Sequence, residues 1–367
     1  MKVQRGIRAP LYMQVYEHLL DAIVQKKYAY GEYLPSERSL AGKFEVDRLT
    51  VRKALDMLVS EGLVEKLPGR GSRVRELPYA RPETAEDTRS LTFIMPELPG
   101  SADRLTEPFN TRLFHRIQAD AKRLGYMLAY TTVGTHESLE RVFENRRPSG
   151  IVFVSEVETR FFEEAHRLEI PAVSINKDNP YSISVLSDRE RGSYLQTQHL
   201  IELGHRNIAL LNGQPSYHTA ELSLQGFYRA LSEHNLDPDL QMVTHGNWTF
   251  DSGFRAMMHI LEDGTSIPTA VAASNDMIAL GACEAIRSAG LRVPQDISVV
   301  GFDDIDQLEY FSPKLTTINS NIELIATTAW NALYGSIMNR PSFGVRAFVP
   351  TSLVRRESTD APRDEEG

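Results

Sequence analysis

The chain has 367 residues, 41% of them apolar and 24% charged, with 40 Lys and Arg against 49 Asp and Glu. These proportions are typical of globular proteins and exclude global disorder and collagen-like structure, and at roughly 100–200 residues per domain we expect two or three domains. The single cysteine excludes an internal disulfide, and no apolar run approaches the roughly 20 residues that span a bilayer. No apolar signal-peptide segment is visible at the N-terminus, so we expect a cytoplasmic protein without membrane contact.

Charge is distributed unevenly along the chain. Residues 1–76 contain 14 Lys and Arg and 10 Asp and Glu, a balance of +4, so the rest balances at −13 and the total is −9. Residues 77–90 combine prolines with many charges and predict a linker. We therefore expect an N-terminal domain over 1–76, a larger domain over 91–356, and a frayed polar tail over 357–367.

The N-terminal segment has the pattern of three helices and a hairpin. Apolar residues at four-residue spacing over 11–23 predict a first helix. Ser36 is a suitable cap for a short second helix that runs to about Phe44, and Asp47 is a suitable cap for a third. Two short strands, LVEKL and SRVR, then flank the turn PGRG at 68–71. This order predicts a winged helix-turn-helix.

The polar face of the third helix predicts contacts with DNA. An arginine near the start of a helix in the major groove can bind guanine through two hydrogen bonds, and a threonine can contact a phosphate or a thymine methyl group. A basic helix face taken alone is usually just solvated, but the complete order of caps, helices and basic hairpin favours DNA binding. The candidate DNA-binding residues are Arg38, Arg48, Thr50, Arg52, Lys53, Gly69 and Arg70.

This N-terminal module resembles the GntR family of bacterial winged-helix regulators. The segments LPSERSLA, VDRLTVRKAL, LVSEGLVEK and GRGS carry the resemblance, which extends over residues 10–74. The family usually has a serine where Asp47 stands, and an aspartate still caps the helix. The resemblance implies DNA contacts by Arg38, Arg48, Thr50 and Arg52, with Gly69 and Arg70 in the wing.

From residue 91 the chain alternates strand-like and helical segments. Near-continuous apolar strands such as GIVFV, NIALLNG and ISVVGF, separated by helical stretches, predict parallel sheets covered on both faces. About 265 residues exceed one such core, so we expect two doubly wound lobes that face each other across a cleft.

Polar and aromatic residues follow several of these strands, where ligands bind in open α/β sheets. Paired hydroxyls of a sugar suit the side chain of Asp or Asn, and an aromatic ring suits the apolar face of a sugar. Each residue alone is more simply explained as a helix cap or a turn residue, but their recurrence at strand ends favours a pocket. The candidates are Ser155, Asn176, Asp188, Trp248, Asn275 and Asp303.

Most of residues 91–355 resembles the effector domain of LacI/GalR regulators, which is itself similar to periplasmic sugar-binding proteins. The segments HLIELGHRNIALLNG, GFYRAL, ASNDMIALGACEAIRSAGLRVPQDISVVGFDDID and PKLTTI carry the resemblance. It implies effector contacts by Asn275 and Asp303, stacking by Trp248 and a pocket wall at Phe109, and Asn176 stands where the family often contacts hydroxyls.

One departure from the LacI/GalR pattern bears on the effector. Before GFYRAL the family commonly has an arginine that binds sugar hydroxyls or a carboxylate, whereas this chain offers Glu221. A carboxylate in the pocket favours a neutral or amino sugar over an acidic effector. A GntR-type head joined to a LacI-type body resembles regulators of the arabinose-repressor type.

We therefore expect an α/β fold, with a winged helix-turn-helix joined to a two-lobed domain similar to periplasmic binding proteins. The expected function is a homodimeric repressor of carbohydrate-use genes that binds operator DNA and a small sugar-like effector. An activator or dual regulator with a non-sugar effector, such as a nucleoside, is the alternative. The motifs H-E-x-x-H, G-x-S-x-G and G-x-x-x-x-G-K-[ST] are absent from the sequence, so we expect no enzyme, no metal site and no cofactor.

Overall fold

A computed structural model of the chain describes residues 10–24, 27–28, 31–60, 63–67, 70–74, 89–97, 104–143, 147–338 and 343–363. Gly69, most of the predicted linker and the last four residues lie outside these ranges. Within them, no helix has both the length and the apolar character needed to cross a membrane.

The described residues form helices and strands in an alternating order after an initial run of three helices. The helices are α1 Leu11–Val24, α2 Glu37–Phe44, α3 Arg48–Ser60, α4 Pro108–Arg123, α5 Leu139–Phe143, α6 Thr159–Arg167, α7 Arg189–Glu202, α8 His218–Glu233, α9 Phe250–Asp263, α10 Asp276–Ser288 and α11 Ile322–Met338. The strands are β1 Val64–Leu67, β2 Gly71–Val74, β3 Ser90–Pro96, β4 Met127–Val133, β5 Gly150–Val154, β6 Ala172–Ile175, β7 Ile183–Ser187, β8 Ile208–Asn212, β9 Met242–His245, β10 Ala270–Ala273, β11 Ser298–Asp303, β12 Thr316–Asn319, β13 Arg346–Val349 and β14 Ser352–Val354.

The N-terminal head is a winged helix-turn-helix, as predicted. The Ser36 hydroxyl accepts the Ser39 N–H at 3.2 Å and begins α2, and the Asp47 carboxylate accepts the Thr50 N–H at 2.7 Å and begins α3. These bonds satisfy backbone donors that have no partner within the helix. Strands β1 and β2 pair antiparallel, and the helices and the hairpin share one apolar core.

The remainder of the chain forms two lobes, each built on a six-stranded sheet. The first-lobe sheet has the order β13-β7-β6-β5-β3-β4 and the second-lobe sheet the order β14-β12-β11-β10-β8-β9. All neighbouring strands are parallel except β12 and β14. Two apolar clusters accompany each sheet, because buried parallel strands need cover on both faces. The predicted α/β fold with two doubly wound lobes is confirmed.

The chain passes between the lobes three times, after β7, after β12 and after β13. Ser187 at the end of β7 pairs with Val349 at the end of β13. Asn319 at the end of β12 pairs with Ser352 at the start of β14. The N–H of Asp188 donates to the carbonyl of Val349 at 2.9 Å. The three crossings therefore lie side by side.

Residues 357–363 differ from the expected frayed tail, and residues 364–367 lie outside the described ranges. Ser358 is fully buried, and its hydroxyl donates to the carbonyl of Val299 in β11 at 2.6 Å. The hydroxyl of Ser298 donates to the carbonyl of Asp360 at 3.1 Å. This stretch is ordered because it satisfies backbone and hydroxyl groups of β11 that burial removes from water.

Helices α7 and α8 approach each other closely at Gly226. A Cβ atom at this position would lie 2.2 Å from the carbonyl oxygen of Glu190 and 2.8 Å from the amide nitrogen of Tyr194. Because both are backbone atoms, neither can move aside without shifting α7. We expect Gly226→Ala to lower the free energy of unfolding by about 1–3 kcal/mol, as overpacking does, and urea denaturation measures it.

Gly335 in α11 provides the matched control for this substitution. Among the residues that the structure describes, a Cβ atom there would meet no heavy atom within 4 Å beyond its own helix. Alanine is favoured over glycine inside helices by about 0.5–1 kcal/mol. Gly335→Ala should therefore leave the chain at least as stable as wild type. Equal stability of the two alanine variants would show that α7 and α8 are not in close contact at Gly226.

Candidate functional site

A cleft lies between the two lobes and encloses about 560 Å³ of space, open solvent included. Its walls come from strand ends and helix starts of both lobes. The lining residues are Arg104, Glu107, Phe109, Asn110, Ser155, Glu156, Asn176, Ser187, Arg189, Tyr217, Thr219, Trp248, Asn275 and Asp303. Six of the eight candidate effector residues are thus brought together, namely Phe109, Ser155, Asn176, Trp248, Asn275 and Asp303. Their contact with an effector stays a prediction.

Three of these residues lie at or directly after the end of a strand and have positive φ. The φ angles are 63° at Ser155, 57° at Asn176 and 114° at Asp303. Such angles are uncommon outside glycine and concentrate at binding sites. The side chain of Asn176 also accepts the N–H of Ser187 at 3.2 Å, which joins the ends of β6 and β7.

Asn275 and Trp248 form one wall of the cleft. The carboxamide oxygen of Asn275 caps α10 by accepting the Ile278 N–H at 2.8 Å, and its amide group donates to the Trp248 carbonyl at 2.9 Å. Asn275 is therefore both a helix cap and a support for the tryptophan. The indole packs on Gly213, where a Cβ atom would lie only 2.1 Å from the ring. A glycine is required there for the aromatic wall to form.

Two candidate effector residues, Asp188 and Glu221, do not line the cleft. The carboxylate of Asp188 accepts the Arg191 N–H at 3.2 Å and caps α7. Glu221 lies on the solvent side of α8, with 60% of its side chain exposed, and bonds to His218 and Gln225. The inference from Glu221 to a neutral or amino sugar therefore does not hold, because this carboxylate lies outside the pocket.

Two buried arginines of the cleft were missing from the sequence candidates. Arg104 is only 7% exposed. Its Nε lies 3.1 Å from a carboxylate oxygen of Glu107, and its Nη1 donates to the Tyr217 hydroxyl of the other lobe at 3.4 Å. Arg189 directly follows the candidate Asp188 and is also 7% exposed. Its position two residues after the predicted strand ISVLS was the available signal.

Two hydrogen bonds and two aromatic rings hold the Arg189 side chain in place. Its Nε donates to the Ser223 hydroxyl at 2.9 Å, and its Nη2 donates to the Ser274 carbonyl. The guanidinium carbon lies 3.9 Å from the centre of the Phe302 ring and 5.3 Å from that of Trp248. Burial lowers the pKa of Arg189 to about 10, because a low-polarity environment disfavours the charged form.

Two carboxyl groups lie buried near this arginine. Burial raises the pKa of Asp303 to about 7, although the nearby Arg189 acts in the opposite direction. Burial, together with the charge of Asp303, raises the pKa of Asp276 well above its usual range. The Thr317 hydroxyl donates to Asp276 at 2.5 Å and the Ile305 N–H at 3.0 Å. Asp276 thus braces the turn that carries Asp303.

The head presents candidate DNA-binding residues on α3. Arg48, the first residue of α3, has 64% of its side chain exposed. Arg52, one turn later, donates to the carboxylate of Glu37 on α2, with Nη2 at 3.1 Å from the oxygen. The hydroxyl of Thr50 donates to Asp47 at 2.9 Å. This exposed basic face agrees with the predicted recognition helix.

The remaining DNA-binding candidates lie around α3. The ammonium group of Lys53 is exposed on α3 and lies 3.8 Å from the centre of the Tyr12 ring. Arg38 on α2 and Arg70 beside the hairpin strands are also exposed. Gly69 lies outside the described residues. DNA contacts by these residues stay predictions.

Comparison with known proteins assigns both parts of the chain to families. Residues 11–74 match the family described as bacterial regulatory proteins, gntR family. Residues 197–359 match the family described as periplasmic binding protein-like domain.

Curated relatives are transcriptional repressors. The repressor PurR of Aliivibrio salmonicida is 32% identical over 241 residues, which cover 64% of this chain and 72% of that protein. The lactose operon repressor of Escherichia coli is 37% identical over 200 residues, and the match covers 54% of each chain. The probable repressor ExuR of Bacillus subtilis is 32% identical over 58% of this chain and 65% of its own length.

Solved structures agree with these relatives. A dimeric lac repressor with a C-terminal deletion has a TM-score of 0.64 and 30% identity, and the match covers 74% of this chain and all of that one. A LacI-family regulator of Enterococcus faecium has a TM-score of 0.68 and 24% identity over 75% of this chain and all of its own, which shows the shared fold. Given the extent of the match to PurR, this chain belongs to the family of LacI- and PurR-type transcriptional repressors, and it carries an N-terminal domain of the gntR family.

Proposed function

We propose that this chain is a cytoplasmic, ligand-responsive repressor that binds operator DNA through its head and a sugar or sugar-like effector in its cleft. One observation carries the proposal: a single chain joins a winged helix-turn-helix that exposes Arg48 and Arg52 to a two-lobed body with a polar cleft. DNA phosphates attract the basic head. The acidic body repels DNA, so its cleft is suited to a small molecule instead.

The cleft has the chemistry that a sugar requires. Trp248 offers an aromatic face, while Asn176, Asn275 and Asp303 offer amide and carboxyl groups near one another. Such a combination of apolar surface and few polar groups orients small ligands. A solved lac repressor was obtained with operator DNA and the anti-inducer ONPF, at 28% identity and a TM-score of 0.64. This relative supports a site for each kind of partner on one chain.

A homodimer fits this function because two heads related by a two-fold axis read the two halves of a palindromic operator. The dimeric lac repressor supports the same arrangement here. Effector and operator then prefer different arrangements of the two lobes, so that each weakens the binding of the other by the same factor.

The experiment is a footprint of the purified chain on the DNA upstream of its own gene, followed by titration with a panel of sugars. We expect a two-fold symmetric footprint, and we expect one sugar to weaken operator binding by about 5- to 150-fold, the range of typical coupling energies. Glu221→Ala, outside the cleft, should respond like wild type. Absence of a footprint would contradict the operator-binding function, and a footprint insensitive to every sugar would contradict the sugar effector.

A further inference from the structure

We propose that the effector of this chain carries an anionic group, a carboxylate or a phosphate, and that the guanidinium of Arg189 binds this group. The inference rests on the proposed function, because it names the class of ligand for the same cleft. It goes against the neutral or amino sugar that Glu221 favoured, since Glu221 lies outside the cleft.

Arg189 differs from the other charged residues of the cleft in its partners. Arg104 is paired with Glu107 at 3.1 Å, and Glu156 is paired with Lys177 at 2.6 Å. Arg189 has no carboxylate oxygen within 4 Å among the residues that the structure describes. A buried cation without a contacting anion is costly, so an anionic ligand at this point would be strongly stabilised.

The two carboxyl groups whose charges act on Arg189, those of Asp303 and Asp276, do not serve as its ion-pair partner. Asp276 uses its two oxygens to accept bonds from Thr317 and Ile305, and burial raises the pKa of its carboxyl well above the usual range. Burial raises the pKa of Asp303 to about 7, so a large fraction of this group is protonated at neutral pH. The positive charge of Arg189 is therefore only partly offset by the protein.

The guanidinium is also oriented for a ligand. Its Nε and Nη2 donate to Ser223 and Ser274. The guanidinium carbon lies 3.9 Å from the centre of the Phe302 ring. Its Nη1 donates to no acceptor within the described ranges, and Arg189 lines the cleft. The planar guanidinium group matches the geometry of carboxylates and phosphates. A neutral hydroxyl can accept one of these hydrogens but brings no charge.

A second donor in the same corner lacks an acceptor. The indole N–H of Trp248 is buried and has no hydrogen-bond partner among the described residues, and its ring lies 5.3 Å from the Arg189 guanidinium carbon. An anionic ligand with several oxygens would supply acceptors at this end of the cleft. A carboxylate or phosphate supplies several such oxygens on one atom.

The test is calorimetric titration of the full chain with matched ligand pairs. Each pair contains a neutral hexose and its anionic derivative, and the two arms are hexuronates against hexoses and hexose 6-phosphates against hexoses. We expect one anionic derivative to bind at least tenfold more tightly than its neutral parent. The arm in which this occurs identifies the anion as a carboxylate or a phosphate.

Arg189→Gln should abolish the preference for the anion, and Arg189→Lys, which keeps the charge but not the planar group, should retain part of it. Arg191→Gln is the matched control, because Arg191 is exposed and outside the cleft lining, and it should keep the full preference. Circular dichroism and thermal unfolding of each variant verify that its lobes fold.

Neutral hexoses that bind as tightly as their anionic derivatives would overturn the inference while leaving the sugar-responsive function in place. Arg189→Gln with an undiminished preference would overturn the role of Arg189. Binding of no member of either arm would overturn both this inference and the sugar effector, and operator binding would remain as a separate result.

Discussion

Replacement of Asp303 by alanine is expected to abolish the response to effector while leaving operator binding intact. Asp303 ends β11 and lines the cleft, more than 220 residues along the chain from the head, which ends at residue 76. Removal of one partner from a buried hydrogen bond costs about 1–3 kcal/mol, so effector affinity should fall by roughly 5- to 150-fold. Fluorescence anisotropy of a labelled operator, titrated with effector, measures both properties in one experiment.

Asp303→Asn is the companion variant for this prediction. The φ angle of 114° at Asp303 is unfavourable for alanine, whereas asparagine tolerates positive φ better than most residues. The asparagine variant should therefore match wild type in stability and still bind effector more weakly, since it lacks the carboxyl group. An alanine variant that leaves the operator at the wild-type effector concentration would remove Asp303 from the site.

Arg48→Ala and Arg52→Ala are expected to weaken operator binding by about 1–3 kcal/mol each where the arginine contacts a base. Arg48 begins α3 with its side chain largely exposed, and Arg52 follows on the same face of the helix. The contact between Arg52 and Glu37 holds the guanidinium group beside α2 and leaves its Nη1 for DNA. Footprinting on wild-type and mutated operator sequences measures the loss and shows whether sequence preference is relaxed.

Arg287→Ala is the control for the loss of one positive charge. Arg287 lies on α10 of the second lobe, where it is paired with Glu284 and 74% exposed, so its removal should leave the footprint unchanged. A uniform loss across all DNA sequences would indicate a phosphate contact rather than a base contact. Footprints that are unchanged in both Arg48→Ala and Arg52→Ala would show that α3 is not the recognition helix.

The head and the alternation of strands and helices were predictable because they depend on local sequence. The caps at Ser36 and Asp47, for example, bond to amides three residues away. The pairing of β13 with β7 was not predictable in this way, since Val349 lies opposite Ser187 across a sequence separation of more than 160 residues. The ordered stretch around Ser358 escaped prediction for the same reason, because its partners lie in β11.

Within the site, the rule that ligand residues follow strands found Ser155, Asn176 and Asp303. The same rule selected Asp188, whose carboxylate instead caps α7, so a strand-end carboxylate does not by itself identify a ligand contact. Arg189 was missed because an arginine at a helix start is usually exposed. Its burial depends on Ser223 and Phe302, which lie far away in sequence.

The side-by-side crossings after β7, β12 and β13 have a mechanical consequence. The three connections are tied together by the pairing of Ser187 with Val349 and of Asn319 with Ser352. Connections tied in this way resist twisting and sliding of one lobe against the other but permit the lobes to bend about one axis. Asp188, whose carbonyl accepts the Thr351 hydroxyl at 3.1 Å, belongs to this axis rather than to the cleft. We therefore expect the two lobes to move mainly about this axis, so that a ligand that bridges them shifts the balance between the open and closed arrangements by its difference in affinity for the two.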